Sequence, residues 1–210
     1  LNEVNDEKVV TVEKQTKSGP LLILLTAAFI AGFIFFVIEM VWFRMSAPIL
    51  GGTTYSFGLV IALALVGIGL GSLMYRHLKP NTVSMSLLVI TFLSEGLMLA
   101  IPYAIGDELA LFALEIRNIE SITFFQLCLG WTVVTSILVL PASLVAGFQF
   151  PLLVALCGQG DEGVSSDVGD VYLVNTCGAV IGSLAGGFGL MPLMGALGVW
   201  KLCIVLTLVM

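Results

Sequence analysis

Long apolar stretches, separated by short polar segments, constrain this chain more than any other feature of its sequence. An α-helix needs roughly 20 apolar residues to cross the ~30 Å hydrocarbon core of a bilayer. The chain is 59% hydrophobic and 10% charged, whereas soluble domains carry roughly 25% charged residues. The pattern therefore predicts an all-α fold, a polytopic bundle of transmembrane helices whose main surroundings are the lipid bilayer.

The apolar runs predict about six membrane spans within residues 20–210, preceded by a polar tail over residues 1–19. Residues 197–210 are too few for a full crossing. We therefore expect the last helix to be cut short and more chain to follow Met210. The expected spans are 20–43, 53–75, 83–105, 122–157, 171–194 and 197–210.

Proline and glycine predict where the helices are interrupted. The segment 47–52 contains one proline and two glycines, which predicts a turn after the first span. Proline also removes a backbone donor, so the long fourth span is expected to kink or break at Pro141 and Pro151. The segment 106–122 is amphipathic and predicts a short helix at the membrane interface.

The orientation of the chain is predicted from its Lys and Arg residues, which favour cytoplasmic loops. Lys14 and Lys17 precede the first span, and Arg76 and Lys79 follow the second. Both clusters lie on the same side of the membrane if the tail is cytoplasmic. We therefore predict a cytoplasmic N-terminus and place the segment 106–122 outside.

Several function classes are excluded or disfavoured by the residues present. Eight Lys and Arg residues without a basic stripe argue against nucleic-acid binding. The four cysteines show no CxxC spacing, and His77 is the only histidine, so we interpret the cysteines as packing residues rather than as a metal site. The sequence has no nucleophile–base set or paired acid–base carboxylates, so no catalytic residue, metal or cofactor is predicted.

Small residues predict where helices approach each other closely, because packing and not hydrophobicity holds helices together in lipid. In the fifth span Asn175 begins a stripe of small residues at spacings of three and four. The second span has a weaker version. The predicted packing glycines are Gly67, Gly71, Gly178, Gly182, Gly186 and Gly189.

Glu95 is the clearest ionisable residue within a predicted span. It lies twelve residues into the third span, near the middle of the membrane. A charge there costs about 2.5–3.5 kcal/mol on insertion scales, which makes Glu95 a functional candidate. It could bind a cationic amine or relay a proton. The alternative is a protonated Glu95 hydrogen-bonded to a neighbouring helix.

A second candidate group closes the predicted first span. Glu39 and Trp42 are three residues apart and share a helix face. An aromatic ring beside a carboxylate suits an organic cation. Arg44 is five residues from Glu39, so an ideal helix points the two apart and Arg44 reaches the interface. The alternative is an interfacial Trp42 with a solvated Glu39.

Several strings occur together along the chain. In order and spacing they resemble the membrane part of integral-membrane spermidine synthase-like proteins, and the similarity covers about residues 20–200. The strings are Glu39-Met-Val-Trp42-Phe-Arg44, Gly51-Gly-Thr-Thr-Tyr-Ser-Phe57, Gly71-Ser72-Leu73, Phe150-Pro151-Leu152 and Val171-Tyr-Leu-Val-Asn175-Thr-Cys-Gly-Ala179.

The resemblance implies transporter-like helices joined to a soluble aminopropyltransferase-fold domain, with the bacterial inner membrane as the location. No catalytic residue can be carried over, because that soluble domain is not among these 210 residues. The protein is an enzyme only if such a domain follows. The resulting hypothesis is a membrane domain that anchors its own soluble domain or binds a polyamine-like cation.

Two other hypotheses stay open at this point. The chain could be a structural subunit of a larger membrane assembly, with other membrane subunits or a second copy of itself as partners. It could also be half of a small-cation transporter that uses Glu39, Glu95 and Asn175, since six spans are half of a paired bundle.

Overall fold

The computed structural model describes residues 18–50, 54–118, 123–158 and 164–210, and every regular element within these ranges is a helix. The all-α prediction is therefore confirmed. A 3-10 turn over Pro80–Thr82 and a π-helical segment over Ala185–Leu190 connect longer helices. The α-helices are α1 (Ser18–Leu50), α2 (Thr54–Arg76), α3 (Met85–Ala104), α4 (Gly106–Arg117), α5 (Phe124–Cys157), α6 (Val164–Leu184) and α7 (Met191–Val209).

Five helical stretches are long and apolar enough to cross a membrane. They correspond to α1, α2, α3, α5 and the continuous stretch Asp167–Val209, which contains most of α6 and all of α7. The short α4 has apolar side chains such as Leu111 and Phe112 exposed beside acidic ones. These features make the chain an integral membrane protein of helical-bundle type.

The last stretch reverses direction at Gly195, where φ is +70° and the helical geometry is interrupted. After this point Trp200 Nε1 donates a hydrogen bond to the carbonyl of Leu99 at 3.1 Å. Further along, Thr207 lies against Gly96. Residue numbers therefore rise along α7 as they fall along α3, so these two helices are antiparallel. The reversal falls between the predicted fifth and sixth spans.

Helices α1 and α6 run parallel in close contact, because glycines remove the side chains that would separate them. A Cβ added at Gly178 would lie 3.1 Å from Cα of Phe29, and one added at Gly182 would lie 2.9 Å from Cα of Phe33. Gly186 meets α1 more loosely. The small-residue stripe thus packs within the chain, against α1.

Gly189 does not take part in this contact, although it continues the stripe in the sequence. Nothing lies within 4 Å of a Cβ added there. The physical reason is the π-helical segment Ala185–Leu190. A π-turn has more residues than an α-turn, so the segment rotates Gly189 away from α1.

Helices α2 and α5 form a second parallel pair. A Cβ added at Gly71 would lie 2.9 Å from the carbonyl carbon of Leu144, and one added at Gly67 would lie 3.3 Å from its backbone nitrogen. Gly147 of α5 in turn meets the backbone of Ile68. Both glycines predicted for packing in the second span lie in this contact.

α5 runs without a break from Phe124 to Cys157, although Pro141 and Pro151 lie inside it. The expected break is therefore not found. At Pro151 the missing N–H leaves the carbonyl of Gly147 without its helical partner. Ser72 of α2 supplies that partner, since its Oγ donates to the Gly147 carbonyl at 2.9 Å.

Two helix boundaries differ from the sequence expectation. α1 continues past Phe43 to Leu50, so the predicted turn over 47–52 begins too early. Pro48 lies inside the last turn of α1, where its missing N–H leaves the carbonyl of Arg44 without a helical partner but does not end the helix. α6 begins at Val164, seven residues before the predicted start. The predicted tail over residues 1–19 lies almost wholly outside the described residues.

Candidate binding cleft

A cleft of about 420 Å³ lies between α1, α2, α5 and α6. Glu39 of α1 and Asn175 of α6 are its two lining residues with polar side chains. Asn175 is held there by the close α1–α6 contact, in which its Oδ1 would lie 2.9 Å from a Cβ added at Gly32. The structure therefore brings together two residues that are distant in the sequence.

Glu39 lies well inside α1 rather than at its end. It lies 11 residues before Leu50, the end of α1, and Leu65 lies 11 residues after Thr54, the start of α2. Leu65 is near the middle of α2 and lines the same cleft. Since α1 and α2 meet at those two ends, Glu39 lies level with the middle of α2.

The walls of the cleft are apolar and partly aromatic. Phe35 and Phe36 of α1 face Phe150 of α5 across it. The other lining residues, apart from Glu39 and Asn175, are small or aliphatic. A single carboxylate among phenyl rings in a low-dielectric setting favours a ligand that carries both positive charge and hydrocarbon.

A smaller hollow adjoins the cleft along α6 and shares Phe36, Phe150 and Asn175 with it. Tyr172 and Thr176 line the added part. The rings of Phe150 and Tyr172 stand edge to face, with centroids 5.9 Å apart. The adjoining hollow extends along α6 from Tyr172 to Ala179.

Trp42 does not contribute to the cleft. Its side chain is fully buried in the core with Val41, Val139 and Trp200. The predicted cation site built from Glu39 and Trp42 is therefore not formed, and neither is the interfacial position considered for Trp42. Since α1 continues to Leu50, Trp42 lies inside the bundle rather than at its edge.

Arg44 is exposed on α1 and is not among the residues that line the cleft. The expected separation of Arg44 from Glu39 agrees with this placement. Among the described residues that line the cleft, none is basic. Glu39 is therefore available to a positively charged group from outside the protein.

Glu95 occupies a different site, in the interior between α3 and α5. It is 2% exposed, and its Oε2 accepts a hydrogen bond from Nε2 of Gln149 at 2.9 Å. Neither residue lines the cleft or its extension. Of the three residues proposed for transport, the structure brings Glu39 and Asn175 together and places Glu95 apart from them.

α5 separates the two carboxylates. Gln149 points to Glu95, whereas its neighbour Phe150 lines the cleft. The sequence did not pair Gln149 with Glu95, because hydropathy does not show which residues of two spans meet. It also missed Gly32, Phe35 and Phe36, although these share the Glu39 face of α1 at helical spacing.

The described ranges offer little for redox or metal chemistry. They contain no cluster of three or more His, Cys, Asp or Glu side chains that could hold a metal ion. The four cysteines, two of them buried, are all free thiols. The arrangement at the cleft can bind and orient a cation by charge, hydrogen bonding and ring contacts.

Comparison with known proteins gives no relative of this chain. Neither the protein-family models, nor the curated proteins, nor the solved structures contain a match to the chain. The class of protein is therefore defined by its own fold and cleft: an integral membrane helical bundle with a carboxylate-bearing cleft beside the middle of α2.

Proposed function

We propose that this chain is the membrane domain of a spermidine synthase-like protein and binds a polyamine-like cation in the cleft. The observation that carries the proposal is the position of Glu39. A carboxylate in the middle of a span is costly, and this one lines an open, aromatic-walled cleft instead of pairing with a basic residue in it. A bound ammonium group would offset that cost.

Each part of the cleft has a role in this proposal. The Glu39 carboxylate receives an ammonium group, and the Asn175 carboxamide accepts a hydrogen bond from a second N–H. Phe36 and Phe150 contact the methylene chain and supply cation–π attraction. The volume of about 420 Å³ lies within the usual range of ligand sites.

The sequence resemblance supports the choice of ligand. Three of its strings contribute residues to the cleft or its extension, namely those containing Glu39, Phe150 and Asn175. A fourth, Gly71-Ser72-Leu73, contacts α5 close to the Phe150-Pro151-Leu152 string, since Ser72 Oγ donates to the carbonyl of Gly147, three residues before Phe150. A polyamine is therefore the first class of cation to test, and anchoring of a soluble aminopropyltransferase-fold domain is the companion role.

The test is equilibrium binding of spermidine to the purified protein in lipid nanodiscs. We expect saturable binding that Glu39→Gln weakens about 10- to 100-fold, because a hydrogen bond to a charged group is worth roughly 1.5–3 kcal/mol. Glu115→Gln is the matched control, since Glu115 is an exposed acid on α4. A neutral diacetylated diamine of similar length should not bind.

Equal affinities for the wild type and Glu39→Gln would refute the proposal. Weakening by Glu115→Gln to the same extent would also refute it, because general surface charge would then explain the binding. The lipid should be zwitterionic, so that spermidine does not bind the bilayer itself.

A further inference from the structure

A second cavity, of about 180 Å³, lies at the opposite end of the bundle from the α2–α3 connection. We call it the outer cavity. It is enclosed by the end of α1, the start of α4, α5, the end of α3 and the start of the reversed part of α7. Met45, Leu138 and Trp200 contribute apolar walls, Ser46 and Thr135 contribute hydroxyls, and Asp107 lies at its edge.

The Thr135 hydroxyl is the most informative group in this cavity. Its side chain is 1% exposed, and among the described residues its Oγ1 has no hydrogen-bond partner. Other helical threonines behave differently: Thr26, Thr132 and Thr176 each donate to the carbonyl four residues earlier. A buried hydroxyl without a partner is costly, so a group that enters the cavity and bonds to it is favoured.

The rest of the outer cavity selects for an uncharged ligand. Its buried polar side chains are hydroxyls, those of Thr135 and Ser46, and half-buried Tyr103 adds a phenol, whereas the one carboxylate, Asp107, is exposed. Trp200 is held in place because its Nε1 donates to the Leu99 carbonyl, so its ring presents a fixed apolar wall. An engineered cavity of ~150 Å³ in another protein accepts benzene, which sets the scale of the ligand.

We propose that the outer cavity is a binding site for a small uncharged amphiphile, with one hydroxyl group on an apolar body about the size of a substituted benzene ring. The hydroxyl exchanges a hydrogen bond with Thr135, and the apolar body fills the space between Met45, Leu138 and Trp200. This site is independent of the cation-binding cleft. The two sites share α1 and α5 but have no lining residue in common.

The experiment uses three probes of nearly equal size: 4-fluorobenzyl alcohol, 4-fluorotoluene and 4-fluorobenzylamine. Binding is measured by ¹⁹F NMR on the full chain in detergent micelles. We expect the alcohol to bind saturably and about fivefold or more tighter than the toluene, from one hydrogen bond. The Thr135→Val variant keeps the shape of the side chain and should remove that preference while leaving toluene binding unchanged.

A second variant separates binding in the cavity from partition into the micelle. Ala110 lines the outer cavity from α4, and Ala110→Trp fills it, so saturable binding of the alcohol should disappear. Non-saturable binding, or saturable binding that survives Ala110→Trp, would overturn the proposal. An unchanged alcohol preference in Thr135→Val would overturn it as well. The amine reports on the cleft, since its binding should depend on Glu39 and not on Thr135.

Discussion

Ser72 and Gly147 are joined by a hydrogen bond of 2.9 Å from the serine hydroxyl to the glycine carbonyl, across the contact between α2 and α5. The carbonyl is the one that Pro151 leaves without a helical donor. A side chain of one helix thus compensates for a proline in another. This relationship explains how a 34-residue helix with two internal prolines stays continuous at Pro151.

The first prediction follows from this compensation. Ser72→Ala should lower the free energy of unfolding by about 0.5–1.5 kcal/mol, the net worth of a hydrogen bond, as measured by unfolding in mixed micelles with SDS. In a Pro151→Ala background the carbonyl regains its backbone donor, so Ser72→Ala should cost much less. Thr26→Ala is the control, since the Thr26 hydroxyl bonds a carbonyl within its own helix. An equal cost of Ser72→Ala in both backgrounds would contradict the explanation.

The second prediction concerns the α2–α5 contact and uses two glycines of one helix. A Cβ at Gly71 would overlap the backbone of Leu144, whereas nothing lies within 4 Å of a Cβ at Gly69. Gly71→Ala should therefore destabilise the protein by about 1–3 kcal/mol, as overpacking does. Gly69→Ala should be neutral or slightly stabilising, because alanine favours helix. SDS unfolding of the two variants side by side is the measurement.

Much of the fold was predictable from the sequence because lipid imposes simple rules. Spans of about 20 apolar residues, and a boundary between spans at residues 194–197, follow from hydropathy. Of the kink or break expected at Pro151, the break is not found, since the rule for proline considers one helix and the compensating Ser72 belongs to another. The end of α1 was placed too early because a proline and two glycines predict a turn equally well a few residues later.

The candidate site was harder to predict for a related reason. The small-residue stripe of α6 predicts a close helix contact but does not show which helix is the partner. Only the structure shows that Gly32 of α1 meets Asn175. Spacing along one helix suggested that Trp42 would join Glu39. Trp42 is instead buried, because a large side chain on the inward side of a long helix packs into the core.

The third prediction concerns the buried pair of Glu95 and Gln149. Gln149→Leu should destabilise the protein by about 1–3 kcal/mol, because it leaves Glu95 buried without its donor. Glu95→Leu should cost a similar amount for the converse reason. The double variant should cost less than the sum of the two, since both polar groups are removed together. Costs that simply add would show that the hydrogen bond does not couple the two residues.

The fourth prediction tests the proposed orientation by labelling intact cells with a membrane-impermeant maleimide. In a cysteine-free background, Glu108→Cys on α4 should be labelled from outside, whereas His77→Cys after α2 should be labelled only after the cells are opened. Both positions are exposed. The basis is the pair Arg76 and Lys79, which favours the cytoplasmic side. The reverse pattern would place the N-terminus outside.

The fifth prediction separates ring contacts from charge in the cleft. Phe150 lines the cleft, whereas Phe148 lies two residues away and packs edge to face on Tyr75, with ring centroids 5.4 Å apart. Phe150→Leu should weaken spermidine binding about 3- to 30-fold, because a cation–π contact is worth roughly 0.5–2 kcal/mol. Phe148→Leu changes the same residue type in the same helix turn and should leave affinity unchanged.

The fifth prediction also depends on which group of the ligand meets the ring. If Phe150 contacts an ammonium group, a diamine with the same methylene chain and trimethylated nitrogens should retain the sensitivity to Phe150→Leu, because cation–π attraction needs no N–H. The same ligand should lose most of its sensitivity to changes at Asn175, since it has no N–H to donate. Equal losses of affinity for this ligand from changes at Phe150 and at Asn175 would mean that it does not bind between Glu39 and the phenyl rings.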